Sequence, residues 1–312
     1  MEDNRAIALF SLFGVTLLWG ATFIWMQQSL DAASNLTPTL SENHVAIFFV
    51  MMRFVIAGFF LLLFVPKTWV GLGKAEIWKG GLLLGVIVWG GFILQMLGLT
   101  EVTPAVSAFL TSLYVVFTAL IGVFTGMQRL TRFAIIGVIL ATFGAGWISG
   151  PPQLHFGVGE WLTVGCAFLF GAHIIATDKV TKIIDPIQVT ATMLITVAVL
   201  SIIVFLLSSR HSLEDFAILV KDFDFVFPLM LCAIFGSLVA LLVLNIFQKQ
   251  VSPVRAAILY ALEPVWAMSA SLFLGLEGDI TFWLPVGAIA LLIGNLIVEL
   301  DQKPKESNKS EA

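Results

Sequence analysis

The sequence predicts an all-α integral membrane protein, with ten transmembrane helices in two inverted five-helix repeats and both termini cytoplasmic. Three observations carry that prediction. First, 59% of the 312 residues are hydrophobic and only 12% are charged, about half the charged share of a soluble domain. Second, the chain writes one stretch twice. Val102-Thr103-Pro104 opens an apolar run through Leu110, Leu113, Tyr114 and Val116 to Gly126. Val251-Ser252-Pro253 opens another through Leu259, Leu262, Glu263 and Val265 to Gly275, at a constant offset of 149. Third, with the N-terminus placed inside, 13 of the 16 Lys and Arg residues fall in inward-facing segments, as the positive-inside rule requires. Arg53 lies within a span, and the outer loops hold Arg210 and Lys221.

The spans are read at about 6–28, 45–65, 78–99, 103–126, 132–149, 157–178, 186–207, 225–247, 253–274 and 281–299, each long enough for a hydrocarbon core of about 30 Å. The first apolar run, Ala6 to Met26, is too long for a signal-peptide core and has a repeat partner later in the chain. Breaks fall at Pro66, Gly71-Leu72-Gly73, Gly150-Pro151-Pro152, Asp185-Pro186, Ser252-Pro253 and Glu277-Gly278-Asp279, all turn-forming. Thr103 and Ser252 each precede a proline. That reads as a helix start, because the hydroxyl caps free N–H groups and proline has none to lose.

The repeat reaches beyond that stretch. Gly14, Gly20 and Ala21 match Gly165, Gly171 and Ala172 at offset 151, and Gly137 and Gly144 match Gly287 and Gly294 at offset 150. The domains are therefore residues 1–150 and 151–300, followed by a polar, disordered cytoplasmic tail, 301–312. Five spans is an odd number, so the second half enters the membrane upside down, as in transporters with a midplane site between repeats.

Two outer loops are longer. Residues 29–44 are polar, and 208–224 place Phe216, Leu219, Val220 and Phe223 on one helical face. The second reads either as a helix lying on the membrane surface or as a plain loop. Cys166 and Cys232 sit inside apolar runs and read as packing residues. Gly81/Gly85 and Gly122/Gly126 suit close helix packing, with homodimerisation as the alternative.

Tyr114 and Glu263 are the leading site candidates. Each stands ten residues past its proline. At about 1.5 Å per residue both reach the bilayer midplane, one from each side. A carboxylate there is costly, by about 3 kcal/mol, and must face protein or water. Glu263 reads as a cavity residue that binds an amine or carries a proton, or as a structural group bonding nearby backbone. Thr111 shares a helix face with Tyr114, and Tyr260 one with Glu263, with Trp266 adjacent. Trp89, midway in its span, is a further cavity candidate, with lipid-facing or packed as the alternative. Arg53 lies about 12 Å below the outer face by the same rise. It reads as snorkelling to headgroups, as a partner for an acidic group, or as a contact for a substrate carboxylate. Gln95 and Asn245 can bond across helices. The four histidines are scattered, and no metal or phosphate-cradling motif is present.

The chain resembles the EamA-type ten-helix permeases of the drug/metabolite transporter superfamily. The resemblance is carried by Leu18-Trp19-Gly20-Ala21-Thr22-Phe23, Arg53-Phe54, Phe109-Leu110-Thr111-Ser112-Leu113, Leu262-Glu263-Pro264-Val265 and Leu274-Gly275-Leu276-Glu277, in that order on the corresponding spans. It implies a central cavity lined by spans three, four, eight and nine, small polar metabolites as substrates, often exported, and a bacterial inner membrane. The expected activity is a secondary transporter or facilitator working by alternating access, not an enzyme. The alternative is a membrane-embedded enzyme or flippase acting on lipid-like substrates. The expected partners are a small-molecule substrate and the lipid bilayer, with no nucleic acid and no cofactor or metal.

Overall fold

In hydrocarbon a chain can satisfy its own backbone within one segment only as a helix, and every regular element among the described residues is helical. A computed structural model describes residues 2–126, 131–147, 156–208, 213–250, 259–260, 262–276 and 282–300. The helices are α1 (Glu2–Leu36), α2 (Glu42–Phe64), α3 (Trp69–Leu72), α4 (Ala75–Leu99), α5 (Pro104–Thr111), α6 (Tyr114–Phe124), α7 (Arg132–Trp147), α8 (Val158–Thr181), α9 (Pro186–Ser208), α10 (Leu213–Leu219), α11 (Phe223–Leu231), α12 (Ala240–Phe247), α13 (Glu263–Phe273) and α14 (Trp283–Leu300). A π-helical segment, Cys232–Val239, joins α11 to α12.

Against the ten spans the sequence predicts, seven described helices are long and apolar enough by themselves to cross a bilayer. These are Ala6–Leu36, Glu42–Phe64, Ala75–Leu99, Pro104–Phe124, Val158–Thr181, Pro186–Ser208 and Phe223–Gln250. Two further apolar stretches are shorter, Ile135–Gly144 in α7 and Trp283–Ile297 in α14. Residues 251–258 lie outside the described residues, and with them the predicted start at Ser252-Pro253. So do the breaks at Gly150-Pro151-Pro152 and Glu277-Gly278-Asp279, the cations Arg129, Arg210 and Arg255, and the tail.

Two predicted loops take different forms. The outer loop expected at 29–44 is mostly helix, and only residues 37–41 separate α1 from α2. The polar residues there sustain the helix beyond the apolar run. Gln27 donates to Asp31 one turn on at 2.8 Å, and the Thr37 hydroxyl donates to the Ala33 carbonyl at 3.0 Å. The amphipathic stretch near 216 forms α10, which packs on the bundle end. Phe216 is buried, with ring centroids 4.8 Å from Phe48 and 5.0 Å from Phe205. Aromatic neighbours inside the chain outcompete a lipid surface for that ring.

Helix α4 runs through the middle of the assembly, between α8 and α9. Gly81 and Gly85 face Thr192 and Thr196 of α9 so closely that any Cβ would collide with them. That pair therefore serves packing within the chain. Helices α7 and α14 pack together by a reciprocal contact. Gly144 lies against the Gly287 carbonyl and Leu291, and Gly294 against the Gly137 carbonyl and Ala141. A Cβ at Gly294 would stand 2.7 Å from the Gly137 oxygen. Asn245 donates to the Thr190 hydroxyl at 2.7 Å, as its position in an apolar span leads one to expect.

Asp185 begins α9 as the sequence predicts. Its Oδ1 accepts from the backbone N–H groups of Ile187 and Gln188 at 3.1 and 3.3 Å, and Oδ2 accepts from Lys67 at 2.8 Å. Partial burial alone pushes this carboxyl up, but the Lys67 ammonium and the two N–H donors outweigh it and hold it below the ordinary carboxylate range.

Two outcomes are expected for the purified protein in detergent. Gly294→Ala, which thrusts a methyl into the α7 backbone, destabilises by about 1–3 kcal/mol, read as a lower melting temperature. An unchanged value would mean the contact does not hold these helices together. Asp185→Ala costs about 1 kcal/mol of cap at neutral pH. Because the folded carboxyl titrates below its ordinary range, this stabilisation is complete above that range and fades as pH falls through it. The gap between variant and wild type therefore narrows below about pH 4, and a gap constant down to about pH 3 contradicts the assignment.

Candidate functional site

The fourth predicted span does not run straight through. Thr103 caps α5, accepting from the Val106 N–H at 3.4 Å with Pro104 at the first helical position. The helix then breaks at Ser112-Leu113 and restarts at Tyr114. At the break the bonding tightens to three-residue turns, Leu113 N to Leu110 O and Val115 N to Ser112 O, both 3.1 Å. The same turn recurs at the matching place in the second copy. Leu262 N donates to Leu259 O and Val265 N to Leu262 O, each at 3.0 Å, and α13 starts at Glu263. Proline at position 264 has no N–H and its ring crowds the preceding turn, which accounts for the second break. Each half-helix ends at a glycine in the left-handed region, Gly126 at φ 70° and Gly275 at φ 68°. At Gly275 the bonds Gly275 N to Leu272 O and Leu276 N to Ser271 O close a Schellman cap.

Tyr114 and Glu263 are thus the first residues of two half-helices. Their side chains meet, the Tyr114 hydroxyl donating to Glu263 Oε2 at 3.3 Å. They are 3% and 4% exposed, and Glu263 is in no ion pair among the described residues. Each half-helix start rests on a glycine of the opposite repeat. A methyl built on Gly20 would stand 3.0 Å from the Glu263 carbonyl oxygen, and one built on Gly171 3.0 Å from that of Tyr114. The Tyr114 carbonyl also accepts from the Thr118 hydroxyl at 2.7 Å. The Ser112 carbonyl and hydroxyl are engaged by Asn295 of α14 at 3.2 and 3.0 Å.

The pair faces a cavity of about 40 Å³, room for about three waters. Tyr260 joins it from beside the second break, its ring 6.4 Å from that of Tyr114 and its hydroxyl donating to Gln248 Oε1 at 3.3 Å. Of the candidates read from sequence, Tyr114, Tyr260 and Glu263 line this space. The other four do not. Thr111 is buried at the end of α5. Trp266 packs against α1, its indole N–H donating to the Thr16 hydroxyl at 3.2 Å. Trp89 is half-buried and turned away, while Val88 and Phe92 of the same helix form the wall. Arg53 is fully buried behind Phe92, with its guanidinium carbon 4.5 Å from that ring's centroid. Snorkelling to headgroups does not fit that position, and no acidic partner pairs with Arg53 among the described residues.

Ten of the thirteen described lining residues are absent from the sequence-derived candidates, the polar and aromatic ones being Trp19, Thr22, Phe92, Gln95, Phe170 and His173. A signal for them is present. Trp19 matches Phe170 and Thr22 matches His173 at offset 151, while Phe92 matches Leu241 and Gln95 matches Leu244 at offset 149. With Tyr114 and Glu263 these make five offset pairs, ten of the thirteen described lining residues. His173 contributes a second proton-bearing group, its Nε2 3.3 Å from the Thr177 hydroxyl. The wall can therefore hold a carboxylate, an imidazole, two phenols and an amide against an apolar aromatic floor.

The comparisons with known proteins agree with a membrane carrier. A protein of Archaeoglobus fulgidus described as an uncharacterized transporter is 27% identical over 299 residues, covering 95% of this chain and 87% of that one. A protein of known crystal structure superposes with a TM-score of 0.61 at 18% identity, over 94% of this chain and 96% of the other, a likeness of fold. The sequence pattern of the EamA-like transporter family matches residues 6–150 and matches again over 157–300. With both halves matched in turn, this multi-pass membrane protein belongs to the EamA-like transporter family.

Proposed function

We propose that the protein is a secondary transporter or facilitator that exports a small polar, amino acid-like metabolite across a bacterial inner membrane by alternating access. The observation that carries this reading is the buried Tyr114–Glu263 hydrogen bond, 3.3 Å long, across a cavity walled by both halves of the chain. On this reading ten spans form two inverted five-helix repeats, residues 1–150 and 151–300, with both termini cytoplasmic. The offset pairs around the cavity support it, since an inverted repeat brings equivalent residues to one midplane site. So do the glycine seats, Gly20 under Glu263 and Gly171 under Tyr114, which are equivalent contacts made across the halves.

The chemistry of the pair suits a cation or a proton. A carboxylate in a low-dielectric wall is stabilised by an ammonium group or neutralised by a proton, and either exchange can be linked to which side the cavity faces. The Tyr114 hydroxyl orients Glu263 and supplies one hydrogen bond to its charged form. Binding energy for a metabolite then comes from Glu263 at one polar pole and from Trp19, Phe92 and Phe170 around the aliphatic part.

Two variants test this in proteoliposomes loaded with amino acids, sugars, nucleosides and polyamines. Glu263→Gln removes the ionisable group and keeps the shape, so wild-type efflux should depend on pH and the variant's should not. Identical pH profiles would take the proton or amine role away from Glu263. Tyr114→Ala should raise the half-saturation concentration roughly tenfold, the worth of one hydrogen bond to a charged group plus lost ring contact. An unaltered value would remove Tyr114 from the substrate site.

A further inference from the structure

Arg53 is the one described cation that lies fully buried in the helix bundle, and its surroundings are unusual. Its Nε donates to the Ser237 hydroxyl at 2.6 Å, its Nη1 reaches Met26 Sδ at 3.5 Å, and its plane lies over Phe92 with 4.5 Å to the centroid. These contacts come from α1, α4 and the π-helical segment, so the guanidinium is held from three sides. Among the described residues its Nη2 has no hydrogen-bond partner, and no carboxylate pairs with it. A guanidinium sealed from water without a counter-charge is strongly unfavourable, which makes an intramembrane one a functional-site candidate, and a carboxylate is the partner its planar fork fits.

The free edge has a definite place. Nη2 borders Gly236, where even a Cβ would stand 3.1 Å from it and would collide with Thr22. Thr22 and Phe92 are both residues of the cavity wall. The Gly236 carbonyl is held by the Trp19 indole at 3.2 Å, and Trp19 also lines the cavity. Gly236 belongs to Cys232–Val239, the π-helical segment, and π turns recur at functional sites because the extra residue rotates the side chains beyond it. The unsatisfied edge of Arg53 therefore lies beside Gly236 and close to Thr22, a residue of the cavity wall, while Phe92 of the same wall lies against the guanidinium carbon.

We propose that Arg53 is the anion-binding pole of the central cavity and takes the carboxylate of a zwitterionic amino acid whose ammonium group faces Glu263. The assignment rests on the transport reading and adds to it the residue that receives the substrate's negative end. A carboxylate fits better than a phosphate, because one guanidinium with one free edge neutralises a single negative charge. The apolar remainder of the wall, with Val88, Phe170 and Leu241, suits a small uncharged side chain. To reach Nη2 the carboxylate displaces the Thr22 and Phe92 side chains, and the planar fork then accepts it as a charge-assisted pair.

The test uses the full chain and two readouts. In detergent, the melting temperature of the wild type is titrated with alanine, valine and threonine, and with the decarboxylated amine and the carboxamide of each. In liposomes, counterflow of the labelled amino acids is followed. The expected result is stabilisation by at least one amino acid, with its amine and amide binding about tenfold to a hundredfold more weakly, and loss of that difference in Arg53→Met. Arg53→Lys covers a failure of that variant to fold: an ammonium cannot reproduce the planar fork, and the preference drops about tenfold. The proposal is overturned if the amine or amide binds as well as the amino acid, if either variant keeps the wild-type preference, or if no compound stabilises the wild type. Carboxylate-dependent binding with no counterflow supports the Arg53 assignment and sinks the transport reading instead.

Discussion

A helix interrupted inside a membrane must find new partners for the backbone groups it frees, and most of this molecule's central architecture answers that demand. Lipid offers no hydrogen bonds, so a break is tolerated only where protein or a wet cavity supplies them. At the first break the Ser112 carbonyl accepts from Asn295, the Phe109 carbonyl from the Ser112 hydroxyl at 2.7 Å, and the Tyr114 carbonyl from Thr118. At the second, Pro264 has no donor to satisfy and Leu262 closes a tight turn onto Leu259. The result is two helices that restart at Tyr114 and Glu263, with those two side chains meeting at 3.3 Å. Glu263 stands at the start of one of them, where a negative group is favoured, and Tyr114 at the start of the other.

Close backbone approach keeps those starts fixed. Hydrophobic attraction between helices is absent in lipid, so packing must come from shape, and small residues let backbones touch. Gly20 and Gly171 do this beneath the two half-helices, and Gly81 and Gly85 do it between α4 and α9. The pair α7 and α14 stands apart from the cavity but is tied to it by the Asn295–Ser112 bonds. These bonds join α14 directly to the backbone beside Tyr114.

Much of this is legible in the sequence, for reasons that can be named. The offset of 149 relates Tyr114 to Glu263 in any fold that repeats, and the inference that they meet needs only the rise of a helix. Asp185-Pro186 and Thr103-Pro104 read correctly because caps are local chemistry. Rotation of a helix is not legible where every face is apolar. Helix α4 has no polar stripe to orient it, so the sequence points to Trp89 as a wall residue in place of Phe92 three positions on. Arg53 shows the other limit. Its depth is readable from its place in the span, but its partners Ser237 and Met26 lie 184 and 27 residues away and no local pattern announces them. The break at Ser112 carries no proline and stays hidden, whereas Pro264 marks its counterpart. The end of α1 is misplaced from sequence because polarity there marks the end of the membrane and not the end of the helix.

The size of the cavity gives the last constraint. At about 40 Å³ it admits a few waters and is too small for a solute of several heavy atoms, so on the transport reading some wall must yield. The glycine-seated half-helices are poor candidates, since their backbones are already in contact with α1 and α8. The wall formed by Phe223–Gln250 differs in kind. It contains Pro228 inside α11, which frees a carbonyl, and then the π turn Cys232–Val239, which departs from the regular ladder. A segment with fewer regular bonds is the easier one to rearrange. Leu241 and Leu244 line the cavity from its far end, and Ser237 within it holds Arg53. Movement of this wall would widen the space, and the Ser237 bond ties the same wall to the Arg53 guanidinium.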